Sequence, residues 1–159
     1  FEYASIRYNT KVLLLRLNYA VDLRYGVLYD IADRIVKKQP VSLTVPCFNC
    51  VWQGYANEAA IRGLLLADSP AEKLNVTGPE TVSVRQTALK LAEYLGIKPV
   101  FDGEEGKDAF LNDSSRASEL FGYPSVSLNT LIRWQAEWII DGGRSLGKPT
   151  HFEERGGKY

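Results

Sequence analysis

The residues here that could do chemistry begin with Cys47-Phe-Asn-Cys50, which has the spacing of a dithiol redox centre or of half a zinc site. A reactive thiol of that kind sits at a helix N-terminus, which lowers its pKa. Cys47 instead follows Pro46 between two strand-like pieces. A structural zinc wants four ligands, and the only histidine is His151. Gly142-Gly-Arg-Ser-Leu-Gly-Lys148 has the spacing of a phosphate-binding loop, but Pro149 stands where Ser or Thr would bind magnesium. It also follows a helical pattern instead of a strand. His151, in Pro149-Thr-His-Phe-Glu153, has nothing nearby in sequence to orient it as a base and is expected to be a tail residue. No metal ligand set and no catalytic residue is expected in this chain.

The bulk numbers narrow the classes. A length of 159 residues fits one domain-sized body, which can bury roughly 70% of its unfolded surface. Nineteen basic residues balance nineteen acidic ones, so no net field draws the chain to nucleic acid or anionic lipid. The apolar runs fall far short of the ~20 residues needed to cross a bilayer. No signal-peptide pattern opens the chain, and two cysteines cannot make a disulfide framework. A soluble cytoplasmic protein acting on a small molecule is expected.

The elements that must position a site alternate between strand and helix. Lys11-Val-Leu-Leu-Leu-Arg-Leu-Asn18 carries five apolar residues in six positions, the pattern of a strand buried on both faces of a parallel sheet. Phe1 to Thr10 has the look of the last turns of a helix. The chain opens on Phe and has no Met, so it is expected to be the back part of a longer protein. Val27, Leu28, Ile31, Ala32, Ile35 and Val36 form one helical face ending at Lys37-Lys38 and Pro40. Val41 to Val45 alternates like a half-wet strand, and Phe48 to Trp52 is a second extended piece. Ala56 to Ala67 predicts a helix with small residues for close packing. Lys73 to Thr77 predicts a strand. Ser83 predicts a cap with Gln86 at the third helical position, and Gly96 a helix stop. Pro99 to Phe101 predicts a short strand, and Asp113 or Ser114 opens a brief helix. Ser127 caps a last helix with Leu128, Leu131, Ile132, Trp138 and Ile139 inward, ending at Asp141-Gly-Gly143. This alternation argues for α/β with parallel pairing.

The same order of segments resembles the C-terminal portion of the extended short-chain dehydrogenase/reductase family, the NAD-dependent epimerase/dehydratase group. Leu15-Arg16-Leu17-Asn18 resembles the late Rossmann strand and the start of the family's Asn-Val-Tyr-Gly-Pro loop. Val51-Trp-Gln-Gly-Tyr-Ala56 is similar to its His-Val-x-Asp-Val-Ala turn, and Leu74-Asn-Val-Thr-Gly-Pro-Glu-Thr-Val-Ser-Val84 to its Asn-Val-Gly-Gly-Pro-Glu-x-Val-Ser stretch. Asn112-Asp-Ser-Ser-Arg-Ala117 with Leu120-Phe-Gly122 resembles its Asp-x-Ser-Lys-Ala-x-x-x-Leu-Gly helix. The fold class implied is α/β, the C-terminal part of a Rossmann-like parallel sheet plus a small helix-rich substrate-binding subdomain. Implied boundaries are 1–40 for the last Rossmann strand and its helices, 41–143 for the substrate-binding subdomain and 144–159 for an irregular tail.

The resemblance also implies what lies elsewhere. The family holds NAD or NADP on a Gly-x-x-Gly-x-x-Gly turn that has no counterpart here, so this chain alone is expected to bind neither cofactor. Its catalytic Tyr-x-x-x-Lys precedes the position matched by Arg16 by roughly 26 residues, which falls about ten residues upstream of Phe1. Tyr3 and Tyr8 have no Lys four residues on. Relatives acting on nucleotide sugars grip the diphosphate with Arg. Those positions correspond here to Cys47 and to the acidic run Phe101-Asp-Gly-Glu-Glu-Gly-Lys-Asp108. A sugar without a nucleotide is therefore as good a candidate as a nucleotide sugar. Ligands of open α/β sheets sit beyond strand carboxyl ends. That rule selects Asn18, Tyr19, Arg24 and Tyr25 as substrate or cofactor contacts, with Trp52 and Gln53 from the second loop. Apolar surface around the first strand predicts a homodimer or a swapped assembly. A non-catalytic relative used for sensing or partner binding is the alternative.

Overall fold

The computed structural model describes residues 1–148, 150, 152 and 153. In chain order the elements are α1 (Glu2–Tyr8), β1 (Leu13–Leu17), β2 (Ala20–Val21), α2 (Val27–Val36), β3 (Val41–Ser42), β4 (Cys47–Phe48), β5 (Val51–Trp52), α3 (Gln53–Gly63), a 3-10 turn (Leu64–Leu66), β6 (Glu72–Val76), β7 (Val82–Ser83), α4 (Val84–Leu95), β8 (Phe101–Asp102), α5 (Ser115–Phe121) and α6 (Leu128–Ile140). Strands and helices alternate as the hydrophobic periods predict. They gather into two compact units, each assembled from three separated stretches. The first takes Phe1–Ala20, Asn49–Glu80 and Asn112–Ser125; the second takes Val21–Phe48, Thr81–Leu111 and the chain from Val126 onward.

The first unit is organised by one parallel pair, β1 with β6, in the register Leu13↔Glu72 through Leu17↔Val76. Its core joins Val51, Tyr55, Ala56, Ala59, Leu74, Val76 and Ala117, with Leu13, Leu15 and Phe121 packed at its edge. Small residues on α3 let that helix lie close: a Cβ on Gly63 would come within 2.7 Å of Leu13 Cδ2. The Tyr55 hydroxyl donates to the Gly122 carbonyl at 2.9 Å, and the Arg62 guanidinium lies 4.8 Å above the Phe121 ring. These contacts tie α3 to the end of α5.

One expectation for β1 needs correcting. Its residues are half-buried over Leu13 to Leu15 and exposed at Arg16 and Leu17, with Leu17 46% exposed. β6 occupies one edge, and of the β1 residues only Leu13 and Leu15 pack against the core of this unit. Among the described residues no second strand pairs with it.

The second unit packs α2, α4 and α6 against one another. Val27, Leu28, Ile31, Ala32 and Ile35 are all buried, as their spacing predicts. Val36 is not: the last residue of α2, it is 41% exposed. Parallel β3 and β8 pair only over Val41↔Phe101 and Ser42↔Asp102. The burial alternation nevertheless runs on through Leu43 and Val45, and the Leu43 carbonyl accepts from the Gly106 N–H at 3.2 Å. The Ser83 hydroxyl accepts from the Gln86 N–H and the Ser127 hydroxyl from the Thr130 N–H, so both predicted caps form. Gly96 takes the left-handed conformation that ends α4. On α6 the buried stripe is Leu131, Ile132, Gln135 and Ala136, while Leu128, Trp138 and Ile139, expected inward, are only half-buried. Gln135 is at home there because its amide donates to the Leu23 carbonyl at 2.9 Å.

Candidate functional site

Parallel pairing sends the loops after β1 and β6 out of the same end of the first unit. The ladder continues one residue past β1, where the Asn18 N–H donates to the Val76 carbonyl at 3.1 Å. The Asn18 amide then donates to Asn49 Oδ1 at 2.7 Å. Asn49, only 5% exposed, donates from Nδ2 to the Asn112 carbonyl at 2.8 Å and accepts from the Asn112 N–H at 3.3 Å. One carboxamide therefore ties together three stretches far apart in sequence. Asn75 adds a bond from Nδ2 to the Asp113 carbonyl at 3.0 Å. Asp113 in turn accepts from the Ser115 N–H and hydroxyl at 2.9 and 2.6 Å, fixing the entry to α5.

Two further features mark this end of the strands. Thr77 is 1% exposed, and its hydroxyl has no hydrogen-bond partner among the described residues. Buried hydroxyls are normally paired. Next to it, a Cβ on Gly78 would come within 2.1 Å of the Cys50 carbonyl oxygen, so only glycine lets these two loops touch. Tyr19 sits in the left-handed region at φ 41°, and its carbonyl accepts from the Val51 N–H at 3.1 Å. The cluster of Asn18, Asn49 and Asn112 is built from neutral amides and backbone. Chemically it can exchange hydrogen bonds with hydroxyl-rich ligands.

The residues selected from sequence divide between the units. Asn18, Tyr19, Trp52 and Gln53 belong to the first, Arg24 and Tyr25 to the second. Asn18 is a member of the amide cluster. Trp52 is the residue preceding α3, half-buried with its indole against Gly54. Gln53 turns along α3 and donates from Nε2 to Asn57 Oδ1 at 2.9 Å. The Arg24 guanidinium is held by both oxygens of Asp22 at 2.9 and 3.0 Å, which pulls the Asp22 carboxyl below its usual range. The Asp22 and Tyr25 backbones exchange two hydrogen bonds at 3.0 and 3.1 Å, closing a tight turn around Arg24. Asn49, Thr77 and Asn112 were not selected from sequence. The sign that could have found Asn49 is a lone carboxamide between apolar Phe48 and Cys50, in a segment that must be buried on at least one side.

Cys50 is buried, and that burial, with Glu80 nearby, pushes its thiol up to about 12, so it stays protonated and unreactive at neutral pH. Both cysteines are free, and the described residues contain no group of side chains able to hold a metal. Gly142 to Lys148 follows α6 as expected, and the Leu146 N–H donates to the Arg24 carbonyl at 3.0 Å. Pro149 and His151 lie outside the described residues. Among those residues no helix is long and apolar enough to cross a membrane.

No family model and no curated protein matches the chain by sequence. Solved structures do match by fold. UDP-glucuronic acid 4-epimerase from Bacillus cereus, in complex with NAD, aligns with a TM-score of 0.70 at 16% identity, over 87% of this chain and 48% of that one. UDP-glucose 4-epimerase from Thermotoga maritima, with UDP-glucose, gives 0.70 at 21% identity over 89% and 50%. RMD from Pseudomonas aeruginosa, complexed with NADPH, gives 0.66 at 15% identity over 86% and 50%. The chain spans about half the length of the structures it matches. At these identities the likeness establishes the fold: this chain has the α/β architecture of about half of a Rossmann-like sugar epimerase, as the sequence resemblance implied.

Replacing Thr77 with Val keeps the shape and deletes the unpartnered hydroxyl. In urea denaturation the Thr77→Val variant is expected to gain about 1 kcal/mol over the parent, while Thr77→Ser gains nothing. A Val variant that is less stable than the parent would mean that the hydroxyl is paired.

Proposed function

We propose that this chain is the substrate-side portion of an NAD(P)-dependent epimerase, dehydratase or reductase acting on a sugar or nucleotide sugar. The observation that carries the proposal is the amide cluster at the carboxyl ends of β1 and β6, within a fold shared with half of a UDP-sugar 4-epimerase. Asn18, Tyr19, Trp52 and Gln53 in the first unit, and Arg24 and Tyr25 in the second, are the proposed contacts to substrate or cofactor. Asn18 is the best placed, since Asn49 fixes its amide and leaves its carbonyl oxygen to accept from a ligand hydroxyl. NAD or NADP supplies hydride transfer in the intact protein, and an upstream Tyr-x-x-x-Lys supplies the acid/base. This chain, which has neither the Gly-rich turn nor that pair in its sequence, is inactive alone and holds neither cofactor by itself.

The coding sequence immediately before Phe1 provides the first test. A Tyr-x-x-x-Lys about ten residues upstream, with a Gly-rich turn earlier still, is expected from the Rossmann layout. If both are missing, catalysis is ruled out and the non-catalytic relative takes its place. In an intact protein that carries them, Asn18→Ala is expected to lower kcat/KM for its sugar substrate by about 10- to 100-fold. An unchanged kcat/KM would remove Asn18 from the site.

The proposed assembly of the isolated chain is a homodimer or a swapped form of it. Support comes from the first unit, where Phe1, Tyr3, Ile6 and Tyr8 on and beside α1, and Leu64 and Leu65 after α3, are all largely exposed, Leu65 by 92%. Light scattering at micromolar concentration should give twice the monomer mass. A monodisperse monomer would contradict this assembly.

A further inference from the structure

After α6 the described residues form no helix or strand, yet they are held at two places. The chain leaves α6 through Gly142, in the left-handed region at φ 69°, and Gly143, whose N–H donates to the Trp138 carbonyl at 2.8 Å. A Cβ on Gly143 would fall 2.2 Å from the Trp138 ring, so this exit depends on glycine. The Arg144 carbonyl then accepts from Trp138 Nε1 at 3.3 Å, and the Leu146 N–H donates to the Arg24 carbonyl at 3.0 Å. These bonds anchor the near end.

The far end is attached to α2. The Thr150 hydroxyl donates to the Asp30 carboxylate, and Arg34 Nη2 donates to Glu153 Oε2 at 2.9 Å. Asp30 and Arg34 are four residues apart, so they share one face of the helix. Phe152, between the two contacts in sequence, is buried, only 4% exposed. Burial of that ring is the larger contribution, and the flanking polar bonds fix where it seats. The Arg34 guanidinium is held ready for its partner. Its Nη1 donates to the Pro40 carbonyl at 2.9 Å, which sets the planar fork and leaves Nη2 for Glu153. Asp33, next to Arg34, is itself paired with Lys37 at 2.7 Å. With side chains 34% and 26% exposed, the Arg34–Glu153 pair is the least exposed ion pair among the described residues, so solvent screens it less than the others.

We propose that the stretch carrying Leu146, Thr150, Phe152 and Glu153 is a latch on α2, which opens and closes as one unit while α2, α4 and α6 stay packed. Gly142 and Gly143 are its hinge, where the backbone change is absorbed. Phe152 drives closing, and the Asp30 and Arg34 contacts set its register. Opening frees the side chains of Asp30 and Arg34 on α2. Phe152 is the one described residue beyond α6 that is buried, and the backbone around it belongs to no helix or strand. A segment held by so few buried contacts opens locally, at lower cost than the helices it rests on. This latch lies within the second unit and is independent of the amide cluster and of the function read from it.

Native-state hydrogen exchange of the full chain, at urea concentrations below the unfolding transition, is the test. The Leu146 amide reports on the latch, and the helix amides of the buried residues Leu91 and Ile132 report on the core. Exchange at Leu146 is expected to be nearly independent of urea while Leu91 and Ile132 speed up steeply, because only the core amides need the unit to unfold. Phe152→Ala should then speed Leu146 exchange by roughly 100-fold, Phe152→Leu by about tenfold at most, and Glu153→Gln by about threefold. If the Ala variant does not fold, the Leu and Gln variants carry the same comparison. Leu146 exchange that climbs with urea in step with Leu91 would overturn the latch, since the stretch would open only when the unit unfolds. Leu146 exchange unmoved by the changes at Phe152 and Glu153 would overturn it too, since the two ends would be separate attachments.

Discussion

The first unit depends on the parallel register of β1 against β6. An antiparallel pair would put the loop after one strand at the opposite end from the loop after the other. The parallel register instead delivers Asn18 and Thr77 side by side, because Leu17 faces Val76 and the ladder extends to the Asn18 N–H. Everything that makes this end chemically distinctive follows from that geometry. Asn49 can reach Asn18 and Asn112 together, Gly78 can touch the Cys50 carbonyl, and the Thr77 hydroxyl is left buried without a partner among the described residues.

Energetically the arrangement separates two tasks. The apolar residues Leu74, Val76, Val51, Ala56 and Ala59 hold the pair and its helix together by removing oily surface from water. The polar residues add little net energy but set position, because a buried amide or hydroxyl without a partner is costly. Asn49 engages both its amide oxygen and its amide nitrogen and thereby fixes three loops. Thr77 finds no partner for its hydroxyl among the described residues.

How much of this was legible in the sequence differs from element to element. The buried stripe of α2 and the caps at Ser83 and Ser127 are local facts, set by a 3.6-residue period and by one hydroxyl reaching one N–H, and the sequence displays them directly. The burial of β1 is not local: it depends on what lies at each edge of the strand, and composition alone made it look more enclosed than it is. The piece from Phe48 to Trp52 divides into two short strands because Asn49 turns inward to its partners, a long-range requirement with no periodic trace. Asn18 was selected from its place after a strand, while Asn49 and Asn112, whose partners are distant in sequence, were not selected. Gln53 and Arg24 show the converse. Their nearest partners, Asn57 and Asp22, lie within four residues, so sequence could have shown that their polar groups are engaged locally.

A double-mutant cycle between Asn18 and Asn49, followed by urea denaturation of Asn18→Ala, Asn49→Ala and the pair, measures directly whether the strand ends are joined through these amides. A coupling of about 1 kcal/mol is predicted, since either single change removes the same hydrogen bond. Strictly additive effects would show that the two side chains do not meet, and the account of this end of the sheet would fail with them.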